Sequence, residues 1–146
     1  MREILFRGKY SKKSPDWIEG SFHRDEDTNI CEIAYRYYKK EGETKAGIWV
    51  YGVVDPETVG QYTGLKDKNG KKIFEGDICE VTVFTCEGED KHFLCEVCFE
   101  YHSFIFRNLK RSNFDIPFSD IYDFETDVEV IGNIHDKKLE DFENGC

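Results

Sequence analysis

Short apolar runs, broken every eight to twelve residues by glycine, proline or clustered charge, dominate the chain and read as strands rather than helices. Glu3-Ile-Leu-Phe-Arg7 opens the series, and Lys12-Lys-Ser-Pro-Asp16 is a turn. Trp17 to His23 alternates, with Trp17, Glu19 and Ser21 on one face and Ile18, Gly20 and Phe22 on the other. Residues 30–40 fit two periods. A helix capped by Asn29 would align Ile30, Ile33, Ala34 and Tyr37, whereas a strand would align Ile33, Tyr35 and Tyr37. The aromatic content and the following Lys39–Lys45 loop favour a hairpin. Its second arm, Gly47-Ile-Trp-Val-Tyr-Gly-Val-Val54, is the strongest strand of the first half and is stopped by Asp55-Pro56.

From Tyr62 onward the pattern becomes a set of glycine-punctuated hairpins. Asn69-Gly70 and Gly76-Asp77 mark tight turns, the second feeding the strand Ile78 to Phe84. His92–Glu100 and Ser103–Asn108 form a hairpin around Tyr101-His102, Phe114–Phe124 is aromatic-rich and irregular, and Val128–Ile134 is a last strand. The charged tail, 136–146, is expected to fray, with Leu139 and Phe142 able to anchor one helical turn. The expected fold is mainly β (β-rich α+β at most). Residues 1–60 form an N-terminal β-hairpin region, packed on a small β-barrel built from residues 61–146.

Composition changes this picture in two places. The 146 residues carry a net charge of −10, but residues 1–73 hold a net +2 and residues 74–146 a net −12. The acidic half repels nucleic-acid phosphate and anionic membrane; it serves solubility, or else docks a basic partner or mimics nucleic acid. The six cysteines are expected as reduced thiols, because Met1-Arg-Glu-Ile-Leu-Phe-Arg7 does not resemble a secretory signal. Cys79, Cys86, His92, Cys95, Cys98 and His102 suggest zinc, but Cys95 and Cys98 fall on a strand where odd spacing sends them to opposite faces. No run approaches the ~20 apolar residues of a membrane span. The reading is therefore a cytoplasmic protein with no membrane partner.

The motifs of common chemistries are missing: no phosphate loop, dinucleotide fingerprint, nucleophile elbow or paired zinc histidines. His23, His92, His102 and His135 carry no motif, and acidic pairs are what 30 carboxylates give by chance. No catalytic residue, metal ligand or cofactor is assigned, and the chain is read as not an enzyme. One surface is a candidate for binding: Gln61, Tyr62, Thr63, Lys66, Asp67 and Lys68 around the basic hairpin.

Three blocks resemble the YopX family of bacteriophage and prophage proteins: Arg2-Glu-Ile-Leu-Phe-Arg-Gly8, the long stretch Glu57–Ile78, and Val128-Glu-Val-Ile-Gly-Asn-Ile134. They stand in the family's order and span nearly the whole chain. The resemblance implies a phage-encoded protein of the bacterial cytosol whose C-terminal part is similar to an SH3-like barrel. It implies no activity and transfers no catalytic residue. Gly64, Gly70, Phe74, Gly76, Asp77, Ile78, Gly132 and Asn133 form a structural signature. Glycines serve its turns, Asp67 and Asp77 accept backbone N–H groups, and Ile73, Phe74 and Ile78 supply core. Together these readings describe an accessory protein that binds another protein through loops or an exposed strand edge. Nucleic acid at the basic hairpin is the alternative, and the unpaired strand edges invite a homo-oligomer.

Overall fold

The computed structural model describes residues 1–38, 47–110, 115–119 and 126–143. It divides into two units, Met1–Gln61 and Tyr62–Cys146, and the strands form antiparallel sheets throughout. The loop expected at 39–45 and residues 114 and 120–124 of the aromatic-rich segment lie outside the described residues.

In the first unit, β1 (Phe6–Lys9), β2 (Trp17–Arg24), β3 (Cys31–Tyr37) and β4 (Ile48–Val54) follow one another in space as in sequence. A 3-10 turn (Pro56–Thr58) then leads into β5 (Gly60–Lys66), whose first residues return beside β1, with Phe6 opposite Gln61. Asp55 caps that turn by accepting the Glu57 N–H at 3.0 Å. Alternation along β1–β4 delivers Phe6, Ile18, Phe22, Cys31, Ile33 and Val54 to one face, where they pack with Val59. This core decides the fate of residues 30–40. As a strand the segment buries Cys31 and Ile33 and leaves Ile30 and Tyr37 exposed, whereas a helix would have needed Ile30 and Tyr37 inside. Gly20 permits the close packing of β2 on β3, since a Cβ there would lie 2.0 Å from the Ala34 carbonyl oxygen.

In the second unit, the rest of β5 pairs with β6 (Lys72–Phe74). Then β7 (Asp77–Val83), β8 (Lys91–Glu100), β9 (Ser103–Asn108), β10 (Ile116–Pro117) and β11 (Thr126–Asn133) form a sheet in the order β10-β9-β8-β7-β11. Cys79, Val81, Cys95, Val97, Phe106, Val128 and Val130 fill one face together with Ile73 and Ile116. The opposite face is covered at Ile78 and Leu94 by Phe142 from a short helix, α1 (Leu139–Glu143). The tail therefore does not fray at this point: Phe142 is a core residue, and Gly132 leaves room for its ring.

The expected closed barrel is corrected by this topology. Among the described residues the five-stranded sheet stays open, because neither outer strand offers a free edge to the other. β10 is two residues long and ends in Pro117, which has no N–H to donate. The outer edge of β11 is engaged by the turn after β5, where the Lys68 N–H donates to the Val128 carbonyl at 2.9 Å.

Phe106 is fully buried and stacks on Phe118, with ring centroids 4.2 Å apart. Phe106→Ala is expected to lower the unfolding free energy by about 3–5 kcal/mol in chemical denaturation, with a smaller loss for Phe118→Ala, whose ring is only partly buried.

Candidate functional site

The central block is built around Asp67, at the tip of the β5–β6 hairpin. Its turn needs a residue with positive φ, supplied by Gly70 (φ 81°). The side chain of Asp67 then accepts three backbone N–H groups: Asn69 at 2.9 Å and Lys71 at 2.8 Å on Oδ1, and Val130 at 3.0 Å on Oδ2. Two of these close its own turn, and the third reaches β11, where the register slips between Val130 and Gly132. Asp77 does a related job, accepting the Phe74 N–H at 2.8 Å on Oδ2 after Gly76 (φ 84°) reverses the chain. Asn133 closes a local turn, its Oδ1 accepting the N–H groups of His135 and Asp136.

The six surface candidates therefore separate. Tyr62 is buried against Phe74, with ring centroids 5.5 Å apart, and Thr63 is buried, donating to the Ile73 carbonyl at 2.8 Å. Asp67 is buried in the turn, and Gln61 is half-buried opposite Phe6. Lys66 and Lys68 are exposed. Lys68 meets Glu129 at 2.8 Å, and that hydrogen bond, with the charges of Glu129, Asp127 and Glu80, raises its pKa. The basic tip is thus embedded in acidic neighbours. Among the signature residues, Phe74, Gly76, Asp77, Ile78 and Asn133 are buried, Gly132 is half-buried, and Gly64 and Gly70 are exposed with positive φ.

The cysteine cluster is dispersed in the same way. Cys79 and Cys95 stand directly opposite each other on β7 and β8, both fully buried free thiols, while Cys98 is half-buried and Cys86 exposed. Burial, with a smaller contribution from Asp115, pushes Cys95 up to about 12, and burial with Asp77 raises Cys79 further. His92 lies 3.0 Å from the Thr82 hydroxyl and 3.5 Å from Glu80, at the surface. Among the described residues, no three His, Cys, Asp or Glu side chains converge on one point.

The surface that the sequence reading passed over is β4. It is the outer strand of its sheet, and Ile48, Trp49, Tyr51 and Val53 are exposed at 62%, 57%, 65% and 54%. Trp49, Tyr51 and Val53 share one face, with the Arg36 guanidinium 5.6 Å from the Trp49 ring. An unbroken apolar run reads in sequence as a strand buried on both faces. The signal that separates the two cases is the aromatic pair at alternate positions, Trp49 and Tyr51, whose polar ring atoms suit a wet surface.

Two outcomes follow. Burial alone would raise the Asp67 pKa, but the N–H groups of Val130, Lys71 and Asn69 outweigh it and hold the carboxyl below its ordinary 3.8. A depressed folded pKa stabilises the protein above the unfolded value, and that stabilisation drains away as pH falls from about 3.8 through the folded pKa. Asp67→Asn is expected to cost roughly 1.5–3 kcal/mol at neutral pH and to flatten the acid limb of the stability curve, measured by denaturation between about pH 2 and 6. In thiol titration of the native protein at about pH 8, Cys86 is expected to react quickly, and Cys79 and Cys95 only on unfolding.

No curated protein matches the chain. The family model described as YopX protein matches residues 5–139, a span that contains both units' strands, the Asp67 turn and β4. The chain belongs to the YopX family.

Proposed function

We propose that the chain is a non-enzymatic accessory protein of a phage or prophage, acting in the bacterial cytosol by binding protein through the β4 edge. The observation that carries this reading is β4 itself: seven residues without a charged side chain, at the outer edge of a sheet, with four large apolar side chains in water. Such an edge presents a row of N–H and C=O groups ready to pair with an added strand, and the aromatic side chains give that pairing specificity. Membership of the YopX family supports the phage setting. No helix among the described residues is long and apolar enough to cross a membrane.

The basic hairpin supports nucleic-acid binding less well. Lys68 is committed to Glu129, Lys72 lies over the Tyr62 ring at 5.6 Å, and Asp127 and Glu80 add negative charge where phosphate would approach.

A photoreactive residue placed at position 53 in the full chain is the test. In bacterial cells it is expected to yield a protein adduct on irradiation, lost when Tyr51→Glu is added. An unadducted chain at position 53 overturns the reading.

A further inference from the structure

The last element of the chain has the least to hold it. α1 has five residues, Leu139–Glu143, with Glu140 and Asp141 in its first turn and no basic residue in its last. A helix this short lies far below the ~12–15 residues at which helices begin to persist by themselves in water, and no cation complements its C-terminal end. Packing must therefore hold it. Of the α1 side chains that the structure describes, Glu140 and Asp141 are exposed and Phe142 is buried. Phe142 lies with Ile78, Leu94, Leu109 and Ile134. Its ring fills the space of a missing side chain: a Cβ at Gly132 would fall 2.6 Å from two of its ring carbons.

The chain before α1 is anchored without it. The Ile134 N–H donates to the Gly76 carbonyl at 3.0 Å. Asn133 Oδ1 accepts the N–H groups of His135 and Asp136, and Asn133 Nδ2 donates to Asp136 Oδ2 at 2.6 Å. Beyond this turn the backbone bonds are local and longer. The Lys137 N–H reaches the Asn133 carbonyl at 3.4 Å, and the Asp141 N–H reaches the Lys138 carbonyl at 3.0 Å. The fixed path therefore ends at Asp136, and α1 can turn away at residues 137–138 without breaking a rung of β11.

We propose that α1 is a reversible strap: it lifts off by rotation at residues 137–138 while β7, β8 and β11 stay paired, and it bares an apolar slot whose occupant is the Phe142 ring. Ile78, Leu94, Leu109 and Ile134 line that slot. Gly132 sets the balance between the two states. Its φ is not positive, so alanine fits its backbone, but the added methyl and the Phe142 ring compete for one space. The main core does not need the strap, because Cys79, Val81, Cys95, Val97 and Phe106 pack on the other face of the sheet. Closure is worth the burial of one aromatic ring, a gain of the size that leaves an open form at about 0.1–10%. The inference concerns the second unit alone and is independent of β4.

Native-state hydrogen exchange of the full chain at low urea concentrations is the test. The amides of Asp141 and Phe142 are expected to exchange at least about tenfold faster than those of β7 and β8, and independently of urea, as a local opening does. Gly132→Ala is expected to abolish the remaining protection of α1 and to raise the fluorescence of a dye that binds apolar surface. The β7 and β8 amides of that variant are expected still to exchange only through global unfolding. α1 amides that share the urea dependence of β7 and β8 in the parent make the helix a fixed part of the core and overturn the proposal. Gly132→Ala with α1 protection unchanged overturns it as well. So does a Gly132→Ala chain in which β7 and β8 lose protection together with α1, because strap and sheet then open as one.

Discussion

The carboxylate of Asp67 holds the second unit's architecture at its least local point. Two of its three acceptor bonds organise the hairpin tip, and the third crosses 63 positions of sequence to Val130. A turn would form without the last bond, and so would a strand. What the bond adds is a fixed position of one against the other, at the place where β11 slips register. The Lys68 N–H then finds the Val128 carbonyl two residues away, and an edge that would otherwise stay open is closed. Neutral asparagine has nearly the shape of aspartate but offers one acceptor oxygen and an amide nitrogen that would face an N–H donor. The charge is also what makes these bonds strong enough to offset the cost of burying it.

This constraint gives the stretch Glu57–Ile78 a structural meaning. Gly64, Gly70 and Gly76 adopt positive φ, Asp67 and Asp77 accept backbone N–H groups, and Tyr62, Ile73, Phe74 and Ile78 are interior. These roles were legible because each is local: a turn needs glycine where φ is positive, and an aspartate two or four residues before an N–H is within reach of it. The Asn69-Gly70 turn was legible in place but not in type, since Gly70 alone of the pair takes positive φ. The bond from Asp67 to Val130 was not legible at all, because no spacing rule connects residues so far apart.

Two further features escaped for the same physical reason, that exposure is decided by neighbours outside the strand. Gly47–Val54 is continuous and apolar, a pattern that belongs equally to a buried central strand and to an edge whose cover comes from elsewhere. Ile33 and Val54 settle the inward face, and the alternate aromatics Trp49 and Tyr51 are the one sign within the run that the other face lies in water. Phe142 is the converse case. It sits in an acidic tail that reads as solvent-facing, yet it is buried against Ile78 and Leu94 because Gly132 leaves a gap for its ring. The closed barrel was an inference from strand number and spacing, and it failed on edge chemistry: Pro117 and the Asp67 turn remove the two edges whose meeting closure requires.

The management of edges therefore links the fold to its use. A strand edge costs nothing when it is too short to template a partner, and costs little when a turn or a proline occupies it. Long uncharged edges are selected against in soluble chains unless something pairs with them, because the same backbone groups that hold a sheet together recruit further strands without limit.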